Sequence, residues 1–456
     1  MTDILSQPAS FRDPDGHIFS EGGVFYRQVN LSYRATYDRL VQSGLFAKLW
    51  AEGLLLEHEE VEPKAGSGAY RLLRPRQLAT VTYPYEWCFS QLKDAALLTL
   101  RIQRLAIGAG FSLKDASAYN VQLHEGRPVF IDTLSFEPFV EGKPWPAYRQ
   151  FCQHFLAPLA LMAKVDARLA LFSRDFVDGV PLDLSSRLLP TRTRLNLGLL
   201  LHVHLHAKAQ RRFVNREKKV APRPISKQGL LGIIANLEST VRGLEWNPSG
   251  TEWGDYYDIT NYAAEARDDK VQAVDAFIAA SGAKSVWDMG ANDGTYSRLA
   301  VARGLPTVAW DIDPVAVEKN YRRMREEKTK LLMPAVVDLT NPSPAIGWNL
   351  EERMSLLDRP RPDLALALAL IHHLAIGNNL PLGHCATFFA RIAPTLVIEW
   401  VPKEDSKVQE LLQNREDIFG DYTTEAFERA FGCHFVIVES RKIRGSERTL
   451  YRMVKR

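Results

Sequence analysis

Asp288-Met-Gly290-Ala-Asn292-Asp-Gly294 decides the fold. Residues 285–288 read as a short apolar strand ending in this glycine turn, which leads into 296–303, whose spacing predicts a helix. A strand that ends in an acid and a glycine turn, with a helix next, is the start of a βαβ unit. In an open α/β sheet, ligands bind at the carboxyl ends of the strands, where strand order reverses. Glycines let the backbone approach a ligand closely, and the helix start offers free N–H groups to an anionic group.

Outward from that turn the alternation continues. Residues 307–310 read as a second strand, closed by Asp311 in Trp310-Asp311-Ile312-Asp313-Pro314. Residues 314–325 read as a charged amphipathic helix with proline in its first turn, where the missing N–H costs nothing. Residues 332–337 form a third predicted strand, followed by Asp338 and Leu339, and 364–370 a fourth, apolar throughout as a buried parallel strand is. A fifth is predicted at 396–400, a helix at 424–431 with Thr423 or Thr424 as N-cap, and a closing pair of strands at 435–439 and 450–454. The fold class is therefore α/β: a Rossmann-like, doubly wound, seven-stranded sheet with a terminal antiparallel hairpin, preceded by an α+β N-terminal half.

The three strand-end acids carry the chemistry. A carboxylate at Asp311 can accept two hydrogen bonds from a ribose diol, and Asp338 can meet an adenine amino group. These residues resemble the class I S-adenosylmethionine (SAM) dependent methyltransferases. The resemblance implies that Asp288, Gly290, Asn292 and Gly294 hold the amino acid end of SAM. It further implies that Asp311 and Ile312 hold the ribose, and Asp338 and Leu339 the adenine. Asn292 stands where many members have glycine, and asparagine tolerates left-handed backbone angles. A nicotinamide-binding domain is disfavoured because its fingerprint is G-x-G-x-x-G, whereas here the glycines are spaced G-x-x-x-G. The whole chain is also similar to a bacterial group of nodulation-type methyltransferases, which implies a small-molecule, saccharide or lipid-linked acceptor.

Methyl transfer needs a nucleophile and a place for its proton. His372 and His373 follow the fourth strand and are candidate bases; the alternative is that they cap a helix or orient a loop. Glu399, at the end of the fifth strand, is a further candidate base or amine ligand, against a salt bridge, for instance with Lys403. The N-P-P-[FY] motif of amide or adenine N-methylation is absent, which leaves O-methylation or another N-methylation. The aromatic segment 253–262 is a candidate lid placing Tyr257 or Tyr262 near SAM, or an aromatic cluster packing on the sheet.

A second constellation lies in the N-terminal half. Residues 121–123 and 129–131 read as a hairpin turning at Glu125-Gly126, which brings Asp115, Asn120 and Asp132 to one end. The Asp-x4-Asn spacing resembles kinase-like and aminoglycoside-phosphotransferase-like folds, where such residues orient an acceptor hydroxyl and hold magnesium with ATP. The glycine-rich loop is poor, no Val-Ala-x-Lys strand is visible, and Asp132-Thr-Leu departs from the usual Asp-x-Gly. Active phosphotransferase, degenerate substrate-binding module and chance all stay open.

At 456 residues the chain needs more than one domain. The expected borders are 1–206 for the N-terminal domain, 207–228 for a basic linker, 229–270 for a helical and aromatic lid segment, and 271–456 for the SAM domain. Hydrophobic residues at 46% and charged residues at 24% supply ordinary globular cores. A net charge of +3 gives no independent reason to expect nucleic acid, although the basic linker leaves RNA or anionic lipid open. The N-terminus lacks a signal-peptide pattern, so a cytoplasmic protein with no transmembrane segment is expected. The four cysteines lie far apart and predict buried, reduced thiols and no structural zinc. His202, His204 and His206 predict a histidine-bearing helix surface rather than a metal site. The helical spacing of Trp145, Tyr148, Phe151 and Phe155 predicts core. Composition does not give the oligomeric state.

Overall fold

The computed structural model describes residues 4–63, 68–208, 224–250, 264–413 and 415–456. The chain divides into two compact units. The first comprises Met1–Asn247 with Ala345–Arg353, and the second Pro248–Pro344 with Met354–Arg456.

The first unit is α+β. Strands β1 (Ile4–Ser6), β2 (Gly16–Glu21), β3 (Val24–Asn30), β4 (His58–Val61) and β5 (Ala69–Pro75) form an antiparallel sheet in the order β1-β2-β3-β5-β4. A 20-residue helix, Phe89–Gly108, then leads through β6 (Phe111–Leu113) to the hairpin β7 (Val121–His124) and β8 (Arg127–Phe130). The hairpin turns at the two predicted residues, Glu125 with φ 48° and Gly126 with φ 74°, the left-handed pair that matches strand twist. Strand β9 (Phe136–Pro138) pairs with β6, and short helices complete the unit. Trp145, Phe151 and Phe155 are buried there as their spacing predicts.

The histidine run differs from expectation. His202 and His204 point inward: His202 bonds Tyr148 at 2.6 Å and Asn236 at 2.7 Å, and His204 bonds Ser186 and Thr193. Helix Lys227–Arg242, expected in the lid segment, belongs to the first unit, where Asn236 meets His202 and Glu238 pairs with Arg104. Its apolar stripe of Leu230, Ile234, Leu237 and Val241 is buried, which is why it is core and not lid. The first unit also takes in Ala345–Arg353, where Arg12 pairs with Glu352 at 2.5 Å and the Arg353 guanidinium lies 4.3 Å from the Tyr119 ring. Of the cysteines, Cys88, Cys152 and Cys385 are buried thiols, while Cys433 is exposed.

The second unit holds the predicted sheet. Strands β10 (Val286–Met289), β11 (Thr307–Asp311), β12 (Leu332–Val336), β13 (Leu364–Ala367), β14 (Thr395–Trp400), β15 (Phe435–Lys442) and β16 (Thr449–Lys455) lie in the order β12-β11-β10-β13-β14-β16-β15. The first five are parallel, and β16 runs antiparallel between β14 and β15. Strand order reverses at β10, which places the switch point beside the Asp288 turn. Alternate residues feed two cores: Trp287, Met289, Trp310 and Ala367 on one face, Val286, Leu364 and Leu366 on the other with Phe277 of helix Ala264–Ser281. Thr423 caps helix Thr424–Gly432, its side chain accepting from Ala426 N–H, and Asp313 caps helix Pro314–Glu326. Strand β13 ends three residues short of the predicted 370, because Ala369 turns left-handed with φ 49°. Among the described residues no helix is long and apolar enough to cross a membrane.

Candidate functional site

The turn after β10 is pinned to its neighbour: Gly290 and Ala291 both donate N–H bonds to the Trp310 carbonyl, at 2.8 and 2.9 Å. Asn292 takes the left-handed angle its side chain tolerates, with φ 50°. Gly294, φ 77°, closes the turn where a Cβ would come within 2.5 Å of the Asn320 side chain. The turn opens on a cavity of about 250 Å³ within the second unit.

The predicted cofactor residues meet there. Asp288, Gly290, Asn292, Asp311, Ile312, Asp338 and Leu339 all line the cavity; Gly294 stands behind it as part of the turn. Asp311 accepts the Asn292 N–H at 2.7 Å and the Asp313 N–H at 2.9 Å, one on each oxygen. The Ile312 backbone N–H also hydrogen-bonds this carboxylate. Asp338 is fixed by Thr340, whose N–H and hydroxyl both donate to it. Asp288 accepts the Ser297 hydroxyl at 2.6 Å. Burial pushes the Asp288 carboxyl up to about 7 and the Asp311 carboxyl up to about 6. Neither has an ion-pair partner within 4 Å among the described residues, so both are desolvated acids that gain from a donating ligand. Tyr257 and Tyr262 lie outside the described residues.

The candidate catalytic residues separate. His373 lines the cavity. His372 does not: it is fully buried, with no hydrogen-bond partner for either ring nitrogen among the described residues. The two rings lie 4.0 Å apart by centroid. Burial, with Arg448 and Lys407 nearby, lowers His373 to about 4, so it is neutral at physiological pH. Glu399 is fully buried behind the cavity and is a charge partner, contrary to its expected place on the substrate rim. It pairs with Lys270 at 2.6 Å and faces Arg448 at 3.6 Å; Lys403 instead pairs with Asp417.

Sequence reasoning missed Lys270 and Arg267, which also line the cavity. Both sit on helix Ala264–Ser281, in Arg267-Asp-Asp-Lys270, a run that reads as a solvated helix face. Lys270 is 3% exposed, with its ammonium 4.8 Å from the Tyr296 ring centroid.

In the first unit the hairpin does gather Asp115, Asn120 and Asp132. Asp115 accepts the Ser117 N–H at 2.8 Å and hydrogen-bonds Asn120. Asn120 donates to the Ser135 hydroxyl at 3.3 Å, and that hydroxyl donates to Asp132. The other Asp132 oxygen pairs with Arg27 of β3 at 2.7 Å. The Arg27 guanidinium thus pairs with the carboxylate that the kinase-like resemblance assigns to magnesium. Among the described residues no group of three or more His, Cys, Asp or Glu side chains is placed to hold a metal ion.

No family model matches the chain. It is 36% identical over 453 residues to nodulation protein NoeA of Rhizobium meliloti (strain 1021), covering 97% of this chain and 94% of that protein. Among solved structures it is similar to N-methyltransferase NodS from Bradyrhizobium japonicum WM9 in complex with S-adenosyl-L-homocysteine, at 13% identity and TM-score 0.33, covering 44% of this chain and 92% of that one. It is also similar to 16S rRNA methyltransferase RmtF in complex with S-adenosyl-L-homocysteine, at 19% identity and TM-score 0.29, covering 42% of this chain and 62% of that one. With its length almost wholly matched to a relative at this identity, the chain belongs to the family of nodulation protein NoeA.

Proposed function

We propose that the second unit binds SAM and transfers its methyl group to an oxygen or nitrogen of a separate acceptor. The observation that carries this is the convergence of three strand-end acids, Asp288, Asp311 and Asp338, on one cavity at the point where strand order reverses. Asp311 would take the ribose hydroxyls and Asp338 the adenine edge. Asp288 would receive the ammonium of the amino acid end, and Lys270 and Arg267 are the cations available to its carboxylate.

When bound, SAM supplies an electrophilic methyl group; the chain supplies position. Holding nucleophile and methyl in line accounts for most of the expected rate. His373 is neutral and faces the cavity, so it can accept a hydrogen bond from the acceptor's hydroxyl or amine and orient its lone pair. A histidine lowered to about 4 is a weak base, and its role is chiefly orientation.

The test is a calorimetric titration of SAM into the purified protein, with Asp311→Ala beside it. Saturable binding that weakens in the variant is the expected result. A folded wild-type protein that takes up no SAM would end this reading.

A further inference from the structure

Ala369 has φ 49°, a left-handed angle that an alanine adopts only at a cost. It lines the cavity two residues beyond the end of β13, and the turn it makes carries the chain to His373. Its N–H donates to Glu399 Oε2 at 2.7 Å. That same oxygen lies 2.6 Å from Lys270 Nζ. The other oxygen faces Arg448, which is itself held by Asp405 at 2.7 and 3.0 Å. Glu399 is wholly buried and is not among the residues that line the cavity; it meets two of those that do, Ala369 and Lys270.

Resting on the SAM reading above, we propose that Glu399 is a positioning residue that sets two walls of the cofactor cavity through one carboxylate. On one side it keeps the Lys270 ammonium in place and charged, ready for the carboxylate of the cofactor's amino acid end. On the other it holds the left-handed Ala369 turn from which His373 enters the cavity. Among the described residues Glu399, Arg448, Asp288 and the Tyr296 ring act on Lys270; Glu399 and Asp288 favour its charge, Arg448 and burial oppose it. Removing the Glu399 charge therefore tilts the balance toward neutral lysine.

The test uses the full chain and two probes, S-adenosylhomocysteine and 5′-methylthioadenosine, which lacks the amino acid end. Glu399→Gln keeps an acceptor for Ala369 but removes the anion. It should weaken S-adenosylhomocysteine by roughly tenfold or more and leave 5′-methylthioadenosine within about twofold. The gap from wild type should widen as pH rises, because loss of the Glu399 anion favours loss of the Lys270 proton. Lys270→Met should show the same selectivity for the amino acid end and no widening with pH. If Glu399→Gln does not fold, the double variant Lys270→Met/Glu399→Gln, which leaves no uncompensated charge, replaces it and must show the Lys270→Met pattern. Equal loss of both probes, or no loss of either, in a folded variant overturns the proposal while the SAM reading stands. Wild type that binds neither probe overturns both.

Discussion

Asp311 and Asp132 are both carboxylates just past or at the end of a strand, and their surroundings are opposite. Asp311 accepts backbone N–H groups and faces a cavity, with no cation paired to it among the described residues. Asp132 is locked by Arg27 and Ser135. Neutral donors leave an acid hungry for another partner, while a fixed guanidinium satisfies it. The same residue type at the same kind of position thus faces a cavity in one unit and is paired to a guanidinium in the other.

The sharpest way to break this contrast is affinity. Asp311→Ala should cost about 1.5–3 kcal/mol of SAM binding, roughly ten- to a hundredfold, while Asp132→Ala changes it by less than about twofold. A calorimetric loss in the Asp132 variant would erase the distinction. Next comes stability. Arg27→Met strands Asp132 and should destabilise the protein by about 2 kcal/mol, less than a fully buried pair because both side chains keep some exposure. Arg27→Met/Asp132→Leu should recover most of it in denaturant titration; a double variant as weak as the single would show that the ion pair is not the brace. Smaller again, Gly294→Ala should cost about 1–2 kcal/mol for its left-handed angle, plus the shift forced on Asn320. Gly290→Ala meets only the flexible Leu370 side chain at 3.3 Å and should cost less.

A pH dependence separates the two desolvated acids of the cavity further. Asp288 has its native pKa raised to about 7 from an ordinary 3.8, so its protonated form favours the fold. That contribution is complete below the ordinary value and is lost as pH rises through about 7. Asp288→Asn stays neutral, so its thermal midpoint should match wild type at low pH and exceed it by a few degrees in mild alkali. Parallel melting curves at every pH would mean that Asp288 is not desolvated.

The sheet was legible because buried parallel strands are apolar runs and each of the first three is followed by an acid. The Asn292 angle and the Glu125-Gly126 turn were legible for the same local reason, since left-handed backbone selects few residue types. What was not legible depends on distant partners. Lys270 looks like any charged helix residue until Glu399 is placed beside it. Of two adjacent histidines, sequence cannot say which faces the cavity, because that is set by the Ala369 turn, and alanine carries no mark of a left-handed angle. The kinase-like motif predicted proximity well, but Arg27, which decides what Asp132 can do, sits far away in the chain on β3.

The excursion Ala345–Arg353 has a consequence for heredity. Because the first unit takes in a segment that lies between β12 and β13, the two units are not consecutive lengths of gene. A recombination event with a single breakpoint near residue 247 would bring in a new N-terminal unit and leave Glu352 and Arg353 without Arg12 and Tyr119. Exchange of the first unit through one breakpoint therefore needs compensating change in Ala345–Arg353, a stretch encoded within the second unit's length of gene.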